Sequence, residues 1–69
     1  MSKTIEFAVQ GMTCEHCVKA VTAAAKSVPG VTSAIVSLEK AEAHVEGDGF
    51  EPDTVVAAIA EEGYEAAVR

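Results

Sequence analysis

Within 69 residues the spacing of apolar side chains changes from two to about 3.6 and back again, twice over, and this rhythm restricts the possible folds more than any other feature of the chain. From Thr4 to Gln10, Ile5, Phe7 and Val9 alternate with Thr4, Glu6, Ala8 and Gln10, the pattern of a half-buried strand. Gly11 breaks it. From Glu15 to Val28, Val18, Val21, Ala25 and Val28 share one helical face and Glu15, Lys19, Thr22 and Lys26 the opposite one, with Glu15 and Lys19 in the favourable i,i+4 order. Pro29 disfavours helical geometry in the residue before it, and Gly30 supplies a left-handed closing residue. Val31 to Leu38 and Ala41 to Glu46 read as two strands of a short hairpin around Glu39 and Lys40, with Ala43 and Val45 facing in and Glu42, His44 and Glu46 facing out. After the loop Gly47-Asp48-Gly49, Pro52 suits the first turn of a second helix and Asp53 its positive end. Val55, Val56 and Ile59 give that helix its apolar stripe, Gly63 stops it, and Tyr64 to Val68 is a last short strand.

The order is therefore β-α-β-β-α-β. Gly30-Val31 and Gly63-Tyr64 each close a helix and open a strand, as two half-repeats would. Residues 1–69 are expected to form a single α+β domain, a ferredoxin-like sandwich whose antiparallel four-stranded sheet carries two helices on one face.

Size sets a limit on what such a sandwich can do. A 7.1 kDa chain folds to a surface of ~4,000 Å² from an extended ~10,000 Å². That is enough for one modest core and no deep cleft, which disfavours a large multi-substrate enzyme. Apolar residues make up 49% of the chain, too many for a disordered acidic tail. With no Trp and only Phe7, Phe50 and Tyr64 aromatic, a base-stacking platform is not expected, and a net charge of −6 repels a phosphate backbone. The charge is uneven: residues 1–38 carry three lysines and two acids, while residues 39–69 carry Lys40 and Arg69 against nine acids. The longest uncharged run, Ser27 to Leu38, is interrupted by Pro29-Gly30 and falls short of the ~20 residues of a spanning helix, so no membrane insertion is expected. Lys3 lies where a signal peptide would place its apolar stretch, so the expected compartment is the cytoplasm, where Cys14 and Cys17 stay reduced.

Those cysteines sit in Gly11-Met12-Thr13-Cys14-Glu15-His16-Cys17, between a strand and the first turn of a helix. Two thiols at this spacing on such a turn can converge on one small ion. The helix N-terminus favours thiolate, and soft sulfur ligands select soft metals, Cu(I) foremost. A bare Cys-x-x-Cys also serves zinc ribbons and dithiol oxidoreductases. A structural zinc site needs four ligands, a count not met by two cysteines, His16 inside the loop and His44 on the outward face of a strand. The dithiol alone leaves an oxidoreductase open.

This motif, followed by Val28-Pro29-Gly30-Val31 and by Gly63-Tyr64-Glu65-Ala66, resembles the heavy-metal-associated domain family, and within it the free-standing bacterial copper chaperones of the CopZ type. The resemblance spans essentially the whole chain. It implies a non-enzymatic carrier that holds Cu(I) between Cys14 and Cys17 and passes it by thiolate exchange to a copper-transporting P-type ATPase, with a copper-responsive repressor as a second candidate partner. The same resemblance admits an excised domain of such an ATPase, or a carrier of mercury, zinc or cadmium. The apo chain is expected to be a monomer, with copper-bridged dimers or larger species at excess metal.

Around the pair, each residue has a plain reading beside a functional one. Met12 is a core filler beneath the loop or a thioether ligand. His16 faces solvent, or acts as a third ligand or tunes the cysteines. Tyr64 caps the core, or its hydroxyl reaches a sulfur from the loop where the resemblance places it. Thr13 is expected, with Met12, to support the loop; it offers no carboxylate where zinc- and cadmium-handling relatives tend to place one, and Glu15 points along the polar stripe with Lys19, which favours a monovalent ion. Lys19 and Lys26 serve solubility, or steer an acidic partner towards the loop while the acid-rich half stays clear of it. His44, between two outward glutamates, is expected to be a surface residue.

Overall fold

The computed structural model describes residues 3–69. In chain order these form β1 (Lys3–Gln10), α1 (Glu15–Lys26), β2 (Val31–Ser37), β3 (Glu42–Gly47), α2 (Pro52–Glu61) and β4 (Glu65–Val68). The strands make one antiparallel sheet in the order β2-β3-β1-β4. The expected β-α-β-β-α-β sandwich is the fold observed.

Alternation places the core. Phe7 and Val9 of β1 and Ala43 and Val45 of β3 are buried against Val21, Ala24 and Ala25 of α1 and Val55 and Ile59 of α2. The complementary residues of β1 and β3 line the open face, where Glu6 stands directly opposite His44 and Thr4 opposite Glu46. The strand β1 is central, paired with β3 over Lys3 to Ala8 and with β4 over Phe7 to Gln10. It therefore leads from the best-braced part of the sheet straight into the Gly11–Cys14 loop.

Several boundaries differ from expectation for local reasons. The helix α1 ends at Lys26, and the Ser27 hydroxyl donates to the Ala24 carbonyl, so Val28 fills the core from beyond the helix. The hairpin loop runs over Leu38, Glu39, Lys40 and Ala41, longer than the two residues expected. Its turn is closed by the Ala41 N–H on the Leu38 carbonyl, with Ala41 at φ 53° and the Lys40 N–H on the Ser37 hydroxyl. Tyr64 precedes β4 rather than opening it. Phe50, in the loop before α2, is fully buried, with the Lys3 ammonium 5.3 Å from its ring centre. Gly30 and Gly63 sit at φ 94° and 95°, so the two half-repeats share the same left-handed helix exit.

Candidate metal centre

The strand-to-helix turn is built so that its sulfurs converge. Cys14 is the N-cap of α1 in extended geometry, and its carbonyl accepts the N–H groups of Cys17 and Val18 at 3.0 and 3.3 Å. Its thiol caps nothing. Cys17 is the third residue of the helix, one turn above. The two Sγ atoms are 3.8 Å apart, far beyond the ~2.05 Å of a disulfide, and both thiols are free. Cys14 is exposed and Cys17 half-buried, so one sulfur is open to an incoming group while the other is held.

Hydrogen bonding to the thiolate holds it. The Cys17 pKa is brought down from 9.0 to about 6, chiefly by the Thr13 backbone N–H, then by the Tyr64 hydroxyl, the Thr13 hydroxyl and the Cys14 N–H, against a small opposing effect of burial. The Thr13 Oγ1 lies 3.7 Å from the sulfur. Tyr64 responds reciprocally: donating to Cys17 raises its own pKa. The acidity thus comes from donors of Thr13 and of the N-cap Cys14, at the start of the helix, and from Tyr64. Thr13 is expected from sequence to support the loop and to offer no carboxylate; the role of its N–H is set by the direction of the loop backbone, which no residue type announces.

The remaining candidates are distributed as follows. Met12 is half-buried and packs against the core. Tyr64 is half-buried, packs on the same core and covers Gly11, where an added Cβ would meet its Cδ1 at 3.3 Å. His16 is exposed on the first turn and, among the described residues, does not join the two sulfurs in a group of three ligand atoms within 4.8 Å. Lys19 and Lys26 are exposed on α1. Charge segregation along the chain is incomplete in space. Glu62, at the end of α2, acts electrostatically on Tyr64, so the acid-rich half reaches the rim of the thiol site. His44 does not stand alone: its Nε2 is 3.0 Å from Glu42 Oε1, and the Arg69 guanidinium contacts the other Glu42 oxygen.

A reactive dithiol on the exposed strand-to-helix turn of a β-α-β-β-α-β sandwich defines a class of small metal-binding modules. The chain belongs to the heavy-metal-associated domain family, whose model matches residues 6–65. It is 50% identical over 60 residues to copper-transporting ATPase 2 of Rhizobium meliloti (strain 1021), in a match covering 84% of this chain and 7% of that protein. It is 36% identical over 67 residues to the copper chaperone CopZ of Bacillus subtilis (strain 168), covering 94% of each. It superposes on oxidised MerP from Ralstonia metallidurans CH34 with a TM-score of 0.93 at 31% identity, covering 100% of this chain and 99% of that one. The chain thus matches nearly the full length of two small relatives and a small fraction of the transporter.

Proposed function

We propose that residues 1–69 act as one cytoplasmic carrier unit that holds a single Cu(I) ion as cargo between Cys14 and Cys17 and hands it to a partner's thiolates. The observation that carries this reading is the 3.8 Å pair of free sulfurs, one exposed and one hydrogen-bonded as thiolate. Metal–sulfur bonds near 2.3 Å reach a linear arrangement when the sulfurs separate to ~4.6 Å, a change the exposed Cys14 side chain can make by rotation. A two-coordinate ion is open to a third thiolate. Exchange then runs through a three-coordinate intermediate, in which the incoming sulfur binds before Cys14 departs and Cys17 departs last. No covalent bond of a substrate is made or broken, so the chain is a carrier and not an enzyme. Its similarity to a copper chaperone and to part of a copper-transporting ATPase supports a P-type ATPase as the acceptor.

Competition against a Cu(I)-specific chelator under anaerobic conditions tests this. One Cu(I) per chain is expected for the wild type, with affinity lower by several orders of magnitude in Cys14→Ser and in Cys17→Ser. Retention of near-native affinity by both single variants refutes the site. Preferential retention of Zn(II), Cd(II) or Hg(II) assigns a divalent cargo. A stable Cys14–Cys17 disulfide in place of metal binding identifies a dithiol oxidoreductase.

A further inference from the structure

On the open face of the sheet, remote from the thiols, a second set of metal-ligating side chains comes together. One ligand atom from each of Glu6, Glu42 and His44 lies within 4.8 Å of the other two. Strand pairing places them there. Glu6 and His44 are direct register partners on adjacent strands, and Glu42 precedes His44 by two residues on the same face. Glu42 and His44 are half-buried and Glu6 exposed, so the group is accessible while its backbone is fixed by the β1–β3 ladder. The His44 Nε2 already stands 3.0 Å from Glu42 Oε1. The Arg69 guanidinium takes the other Glu42 oxygen, leaving Oε1 turned towards His44.

We propose that Glu6, Glu42 and His44 form a second cation site, for a divalent transition-metal ion of the Zn²⁺ type. The donor set decides the class of ion. One imidazole nitrogen and two carboxylate oxygens suit borderline divalent ions better than Cu(I), which prefers sulfur. Three donors bound to one zinc at about 2.0–2.2 Å stand roughly 3.3–3.8 Å apart, so the set closes by side-chain movements on the order of 1 Å, which the exposed Glu6 can make by rotation. The ion replaces the His44–Glu42 hydrogen bond with two bonds to itself, and water completes its shell on the exposed side. Arg69 sets the limit on affinity, because a guanidinium fixed on Glu42 opposes a second cation nearby. The site is separate from the thiols, since Glu6 precedes Gln10 by four residues, about 13 Å of strand.

The test uses the 69-residue chain with Cys14→Ser and Cys17→Ser, so the thiols cannot capture the probe and the outcome is independent of the copper reading. Zn²⁺ alone is titrated at pH 7.5 while the imidazole nitrogens of His16 and His44 are followed by NMR. Saturable binding of one Zn²⁺ that shifts the His44 ring is expected, weakened at least tenfold by Glu42→Gln and by His44→Asn and unchanged by His16→Asn. Glu6→Gln, at an exposed position, gives the same weakening without disturbing the Glu42 ion pair with Arg69, which keeps the test decisive should either of the other two variants fold poorly. A His44 ring that stays unmoved to millimolar Zn²⁺ overturns the site. So does binding that survives these substitutions or disappears with His16→Asn.

Discussion

At the residue scale the chemistry rests on Cys17. Its pKa of about 6 follows from four donors aimed at one sulfur, the Thr13 N–H first and the Tyr64 hydroxyl second. Below pH 6 the apo chain carries a thiol there and above it a thiolate, the form that attacks electrophiles and binds metal. Alkylation of Cys17 by iodoacetamide should therefore rise through a midpoint near pH 6, not near 9.0. Tyr64→Phe removes a donor, so the midpoint moves upward, yet only part of the way back, because the stronger Thr13 contribution persists. Loss of an outer hydrogen bond of this kind lowers metal affinity by about tenfold or more. Peptide fragmentation of samples labelled across pH 4–10 resolves Cys17 from Cys14, and an unchanged midpoint in Tyr64→Phe would show that the hydroxyl contributes nothing.

At the scale of elements, two features lead to measurable outcomes. Gly47 ends β3 against the backbone of Gly30 and Val31, where an added Cβ would lie 2.2 Å from the Gly30 carbonyl oxygen and 2.7 Å from the Val31 Cα. Neither atom can yield without moving the start of β2. Gly47→Ala should destabilise the fold by about 1–3 kcal/mol, the usual range for overpacking, seen as a lower urea midpoint; an unchanged midpoint would mean that β2 lifts freely. On α1, Lys19 lies two residues beyond Cys17 and Lys26 nine, roughly 3 and 14 Å along the helix axis. Physiological salt screens charge over about 8 Å. Charge reversal at Lys19 should therefore slow copper transfer to an acceptor domain more than reversal at Lys26, with the difference growing at low salt and Cu(I) affinity unchanged. Stopped-flow rates indifferent to both reversals and to salt would remove these lysines from docking. The elements themselves were largely legible because apolar spacing and glycine positions are local signals. The hairpin loop was not, since its length depends on hydrogen bonds of Ser37 and Leu38 with residues that have no turn signature. Nor was the aim of the Thr13 N–H at the Cys17 sulfur, because the direction of a loop backbone follows from no residue type.

For the whole molecule, an exposed surface of 4137 Å² agrees with the ~4,000 Å² expected of a compactly folded chain of this mass. Among the described residues, the large apolar side chains left exposed, Ile35, Leu38 and Val68, are too few for the ~800 Å² per partner of a stable interface. Sedimentation of the apo chain should give a monomer, and dimers or larger species should form only above one equivalent of Cu(I), through shared thiolates; a stable apo dimer would contradict this. The two donors on Cys17 also differ in how firmly the sheet anchors them. Thr13 follows the central strand β1, braced on both sides. Tyr64 leads into β4, a four-residue edge strand with a single neighbour. Were that edge to open, the hydroxyl would be lost to Cys17 while the Thr13 amide stayed. Cys17 would then be more basic, so the margin of the sheet holds one of the two leading controls on how readily this sulfur gives up its proton.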